Sequence, residues 1–77
     1  MSSLIEEIRE SRTVPTPKVA RLIRVSAGVT QDRMAREVGV HRVTLARWES
    51  GESQPRGEGR SRYALLLAAL ADEVRTA

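Results

Sequence analysis

The chain contains no cysteine, a single histidine and a single lysine. Without cysteine there is neither a disulfide framework nor a thiolate metal site. Stability must therefore come from packing, with oligomerisation as the remaining aid. One histidine, His41, cannot by itself assemble a metal cluster or a catalytic triad. Long apolar runs are missing too: the longest, Ala64 to Ala71, falls well short of the roughly 20 residues that span a bilayer. The amino-terminal stretch carries Glu6, Glu7 and Glu10, unlike the basic start and apolar centre of a secretory signal, so a cytoplasmic location is expected. Gly57-Glu58-Gly59 has no strand before it and no lysine after it. It reads as a flexible loop and not as a phosphate cradle. The acid pairs Glu6-Glu7 and Asp72-Glu73 are sequence neighbours, which diverge in direction on a helix. No catalytic residue, metal or cofactor is expected, and the chain does not read as an enzyme. At 77 residues it reads as a single domain, 1–77, of a size that buries only about 60% of its unfolded surface and leaves little room for a cleft beside the core.

What is abundant is arginine: twelve of the thirteen basic residues. The net charge of +3 is unevenly spread, with −2 over residues 1–10, +6 over 11–62 and −1 over 63–77. The planar guanidinium fork matches phosphate oxygens and the guanine edge in a way that lysine does not. A polyanionic partner is one reading of this central block; a solvated surface is the other.

Apolar residues recur with helical spacing in five segments, and nothing alternates as a strand does. The fold class expected is all-α, a compact bundle of about five helices. Leu4, Ile5 and Ile8 make one face of a helix over 2–12. Pro15 and Pro17 break it, and Thr16-Pro17 reads as a cap followed by a proline at the first helical position. A helix with Ala20, Ile23 and Ala27 on one face then runs to Gly28. The next starts at Thr30, has Asp32 in its first turn and stops at Gly39. Another extends from about His41 to Gly51, Glu52 to Gly59 reads as a loop, and a final helix over 60–74 carries Tyr63, Leu66, Leu67, Leu70 and Val74.

The sharpest pattern lies between Gln31 and Ser50. In that window of twenty, Ala35 is fifth, Gly39 ninth, Leu45 fifteenth and Trp48 eighteenth. Two short helices that cross closely need a small residue at the contact, which Ala35 provides. The turn between them needs a positive φ, which Gly39 supplies without steric cost. Val40 can plug the gap, and Leu45 and Trp48 anchor the second helix. This is the arrangement of a helix-turn-helix, here with its core at 30–51.

The stretch from Arg24 to Pro55, RVSAGVTQDRMAREVGVHRVTLARWESGESQP, resembles the lambda Cro/C1 repressor family, also called the Xre-type helix-turn-helix family. The likeness rests on Arg24, Gly28, Thr30-Gln31, Ala35, Gly39, Trp48-Glu49, Gly51 and Pro55. It implies a lambda repressor-like DNA-binding domain whose recognition helix, residues 41–51, lies in the major groove. On the resemblance, Arg42, Val43 and Arg47, with Thr44 at the margin, face base edges. Each arginine either bonds guanine O6 and N7 or makes simpler contact with phosphate or solvent; Val43 either packs on a thymine methyl or supplements the core. The resemblance also has Gln31 bonding a phosphate and bracing the recognition helix, and pairs Arg24 with Glu49 as a structural ion pair. Thr30 is a cap and a phosphate candidate. Ser50, Ser53 and Arg56 are further phosphate candidates by position, with Arg60 and Arg62 weaker ones. His41 is either near a phosphate or simply a surface residue. The helix over 2–12 is additional to the family pattern, and the family's last helix is missing from the sequence.

The implied function is that of a sequence-specific double-stranded DNA-binding transcription regulator, a Cro-like, phage-type repressor. So small a reader is expected to bind a palindromic operator as a homodimer. Two other classes keep the same helices: an antitoxin whose extra apolar helix caps a toxin while it regulates its own gene, and an interaction module that does not bind DNA.

Overall fold

Two threonines and a histidine begin three of the four helices found among residues 13–76, the residues described by this computed structural model. Each side chain accepts a hydrogen bond from a first-turn backbone N–H that no carbonyl can reach. The Thr16 hydroxyl takes the N–H of Val19 at 3.4 Å and opens α1, Pro17–Ser26, with Pro17 in its first turn. The Thr30 hydroxyl takes that of Arg33 at 3.1 Å and opens α2, Gln31–Val38. Nδ1 of His41 takes that of Val43 at 3.2 Å and opens α3, Arg42–Ser50. The fourth helix, α4, is Gly57–Thr76. No strand occurs among the described residues. The helix expected over 2–12 lies outside them.

The last helix departs from the reading of the sequence. It begins at Gly57 and not near residue 60, so residues 57–59 are helical and not a flexible loop. The Arg60 N–H bonds the Arg56 carbonyl at 3.2 Å, and Glu58 pairs with Arg62 one turn on at 3.4 Å. Gly59 lies on the packed side of the helix. A Cβ there would stand 3.4 Å from Trp48 Cη2 and 3.6 Å from Val40 Cγ1, at van der Waals contact, so α4 lies closely against α3 and the turn before it. A glycine that usually signals a break is here a point of close approach. At the other end α4 continues to Thr76, whose hydroxyl bonds the Asp72 carbonyl at 3.0 Å.

The core takes residues from all four helices: Ala20 of α1; Met34, Ala35 and Val38 of α2; Leu45 and Trp48 of α3; Tyr63 and Leu67 of α4. Trp48 and Tyr63 stack in a tilted pair with ring centroids 4.9 Å apart. Leu66 and Leu70 flank the cluster, while Val74 is 38% exposed. The apolar stripe of α4 therefore outruns the core it serves.

Between α2 and α3 the chain turns at Gly39, whose φ is +87°. Its N–H and that of Val40 both donate to the Ala35 carbonyl, at 2.8 and 3.0 Å. A residue with a Cβ at Gly39 would have to adopt that positive φ, which residues other than glycine rarely do, so conformation closes the position, while Nη1 of Arg62 lies 3.1 Å from where the Cβ would stand. Ala35 is 2% exposed, and Val40 packs half-buried against the cluster.

A polar brace joins the other helices to α3. Arg24 of α1 donates Nε to Oε2 of Glu49 at 2.6 Å and Nη2 to Oε1 at 2.9 Å, a two-point contact. Its Nη1 donates to the Val29 carbonyl at 2.8 Å, fixing the chain just before α2. Gln31 of α2 donates its amide N–H to Glu49 Oε1 at 3.0 Å. Both charged residues are buried, each 7% exposed. Burial pushes the pKa of the Glu49 carboxyl up, but the hydrogen bonds from Arg24 and Gln31, with the charges of Arg24 and Arg21, outweigh it and hold the pKa below its ordinary value of 4.5.

Three substitutions test this interior. Because removing one partner strands the other's charge, Arg24→Ala should cost about 3–5 kcal/mol in chemical denaturation. The depressed pKa of Glu49 contributes stability that is full above pH 4.5 and lost as pH falls through the folded value; Glu49→Gln should flatten that acid limb in a plot of midpoint against pH. The Tyr63 hydroxyl is the converse case. It is buried without a hydrogen-bond partner among the described residues. Burial, reinforced by Glu49, pushes its pKa from 10.0 up to about 12 against the opposing charge of Arg24. Its contribution is thus full below pH 10 and lost as pH rises toward 12. Tyr63→Phe should abolish that alkaline loss and leave neutral stability unchanged or raised by up to about 1 kcal/mol. A clear destabilisation would mean the hydroxyl is bonded after all.

Candidate nucleic-acid interface

The surface of α3 is set by its own period. Leu45, Trp48 and Glu49 point inward and are buried, which places Val43, Arg47 and Ser50 on the opposite side of a helix of 3.6 residues per turn. All three are exposed, Val43 at 43%. Arg42 is exposed at the start of the helix, and Thr44 is half-buried at the edge of the stripe. An exposed β-branched apolar residue between two arginines is an unusual use of a helix face meant only for water.

The guanidinium groups around this face differ in how they are held. Among the described residues, the side chain of Arg42 makes no ion pair or hydrogen bond, and neither does that of Arg56, exposed just before α4. Arg47 stands with Nε 3.7 Å from Glu52 Oε2, which leaves its terminal fork uncommitted. On α2 the situation is the reverse: Arg33 pairs with Glu37 at 3.1 Å and Arg36 with Asp32 at 3.2 Å. These i,i+4 pairs are exposed and add little to stability, but they neutralise α2 locally. Between α2 and α3, the positive charge without a described partner falls on α3 and the segment after it, as it does elsewhere on Lys18 and Arg21 of α1.

The remaining candidates sit at helix ends. Thr30 is exposed at the start of α2, its oxygen occupied by the Arg33 N–H and its proton still available to donate. The Gln31 amide is half-buried and bonds Glu49, so its bracing contact is with a carboxylate inside the protein. His41 uses Nδ1 as a helix cap, leaving Nε2 outward on an exposed ring. Beyond α3 the chain folds back on itself. The Ser50 hydroxyl donates to the Arg47 carbonyl at 3.1 Å and accepts the Glu52 N–H at 3.4 Å, and the Ser53 N–H reaches the same carbonyl at 3.3 Å. The side chains of Ser53 and Arg56 are exposed past this turn. Arg62, a weaker candidate, lies over Gly39 and pairs with Glu58.

Two contacts at this surface were not legible in the sequence. Glu52 reaches Arg47 across the Gly51 turn, a separation of five that no helical rule links. Arg62 meets Gly39 only through tertiary packing. Among the described residues, no three acid or histidine side chains are grouped as a metal site would require, and no helix is long and apolar enough to cross a membrane.

Comparison with known proteins bears on the same stretch. Residues 21–58 match a family model described as helix-turn-helix. No curated protein and no solved structure matches the chain. The matched residues run from α1 through α3 and its brace to the first turn of α4. Residues 21–58 thus carry a helix-turn-helix of the Cro/C1, Xre-like type, as DNA-binding regulators do.

Proposed function

We propose that the chain, as one domain over 1–77, is a sequence-specific repressor that lays α3 in the major groove of a two-fold symmetric duplex site. The observation that carries this reading is the outward stripe of α3: Val43 and Arg47 exposed opposite the buried Leu45, Trp48 and Glu49, with an unpaired Arg42 beside them. Arg42 and Arg47 bond guanine O6 and N7, Val43 packs on a thymine methyl, and Thr44 contributes at the margin. Thr30, Gln31, His41, Ser50, Ser53 and Arg56 dock on phosphates and set register without reading sequence. Of these, Arg56 has the freest side chain, while the hydroxyl of Ser50 already serves the turn. A module of this size touches few bases, so specific affinity comes from two copies on half-sites about 34–36 Å apart. Repression then follows from occupancy of the site.

The test is selection of bound fragments from random or genomic DNA, followed by titration of the enriched site at several salt concentrations. A symmetric motif should emerge, and affinity should fall steeply and linearly on a log–log salt plot. Arg47→Ala should lose about 1–3 kcal/mol on the chosen site and relax the preference at one base pair per half-site. Arg56→Ala should weaken all sequences alike and reduce the salt slope by about 1. Unchanged binding by an Arg42→Ala, Arg47→Ala double variant would overturn the reading.

A further inference from the structure

Two acids lie between His41 and Arg56. Glu49 is buried in the brace, and Glu52 is exposed. An exposed carboxylate on a surface proposed for a phosphate backbone repels that backbone. Its presence there calls for a reason other than docking. A loop charge facing only water would satisfy the sequence, but the turn that carries Glu52 brings it back to α3.

On a straight helix, residues 47 and 52 would stand about 140° apart around the axis. Gly51, at a φ of +80°, ends α3 in the left-handed region, and the chain turns back along the helix it has just left. Three hydrogen bonds hold the return. The Ser50 hydroxyl and the Ser53 N–H both donate to the Arg47 carbonyl, at 3.1 and 3.3 Å. The Glu52 N–H donates to the Ser50 hydroxyl at 3.4 Å. The backbone of Glu52 is thus ordered with respect to Arg47 before either side chain is placed. Its Oε2 then lies 3.7 Å from Arg47 Nε, an ion-pair distance.

Both side chains are well exposed, 58% for Arg47 and 68% for Glu52, so the pair adds little to stability. What it constrains is direction. An arginine without a partner samples many rotamers and loses that freedom when it binds. Arg42, which has no ion pair among the described residues, is in that position. Arg47 is drawn to Glu52 through Nε, so the edge of the guanidinium that remains open carries its two terminal nitrogens. Two parallel N–H groups on one edge match guanine O6 and N7. A phosphate could take the same fork, but the neighbouring carboxylate repels phosphate and not a neutral base.

We infer that Glu52 is a positioning residue for base readout: it holds the Arg47 fork end-on toward a guanine and away from the phosphate backbone. The inference rests on α3 being the groove-reading helix and adds the source of selectivity at Arg47.

The test is a double-mutant cycle. Glu52→Ala leaves the backbone bonds of the turn in place and removes the carboxylate. Affinities are measured for the parent chain, Glu52→Ala, Arg47→Ala and the double variant. The duplexes are the selected site, the same site with each base pair exchanged in turn, and an unrelated sequence. Glu52→Ala should bind the unrelated duplex more tightly, because a charge that repels phosphate is gone. Its preference at the base pair read by Arg47 should fall about threefold to tenfold, as the freed side chain has to be ordered on binding. In the Arg47→Ala background, Glu52→Ala should leave base preference unchanged. General damage to the fold would instead weaken both kinds of duplex alike, and that result would overturn the inference. So would a preference lost in Arg47→Ala but kept in Glu52→Ala, which leaves the groove reading standing. A preference that Glu52→Ala lowers even without Arg47 would make Glu52 a base reader in its own right and refute the positioning role. Full preference in Arg47→Ala would sink the groove reading, and this inference with it.

Discussion

The orientation of α3 depends on one buried interaction, the two-point bond between Arg24 and Glu49. A helix of nine residues has little stability of its own, since isolated helices shorter than about 12–15 residues are marginal in water. Leu45 and Trp48 give α3 apolar attachment, but greasy contact alone permits sliding and rotation. The guanidinium fork does not. It fixes Glu49 in direction, and its third nitrogen takes the Val29 carbonyl, so one side chain from α1 sets both the start of α2 and the roll of α3. Gln31 then ties α2 to the same carboxylate. With Glu49 held inward, the helical period leaves Val43 and Arg47 no direction but outward. The face offered to a partner is thus determined from inside the protein.

Such an arrangement carries a cost. Burying two charges gives up hydration that their attraction only partly returns, and an apolar pair of equal shape is often as stable. Net stability alone does not account for the pair. What it adds is specificity of geometry, because a carboxylate with three directed hydrogen bonds tolerates less rotation than a methyl group in a pocket. Tyr63, buried close by without a partner, marks the limit of that network: its ring serves the core through Trp48 while its hydroxyl is left over.

Much of this could be read before any coordinates. Thr16, Thr30 and Gly39 act locally, through the backbone within a few residues, and local rules suffice to place them. The small residue at Ala35 and the anchors Leu45 and Trp48 followed from period and spacing. The errors arise where a residue's meaning comes from across the fold. Gly57 and Gly59 look like loop residues, yet the second faces Trp48 and Val40, which the sequence puts 11 and 19 positions away. For His41 the sequence left a phosphate contact and a plain surface place open, and the cap its Nδ1 makes two residues on is compatible with either. Glu52 looked like plain loop charge, because its relation to Arg47 exists only once Gly51 has turned the chain back.

The arginines show how placement, more than number, makes an interface. A net charge of +3 is small, and spread evenly it would do little at physiological salt, where screening acts within about 8 Å. The fold does not spread it evenly. On α2 and α4 cations sit one turn from acids and cancel: Arg33 with Glu37, Arg36 with Asp32, Arg62 with Glu58, Arg75 with Asp72. On α1 and α3, helical spacing supplies no such partner, and among the described residues Lys18, Arg21 and Arg42 form no ion pair. Two positive regions result on different helices. One borders the exposed Val19, Leu22 and Val25 of α1; the other borders the outward stripe of Val43, Arg47 and Ser50 on α3. Which cations stay uncompensated is decided by their neighbours one turn away.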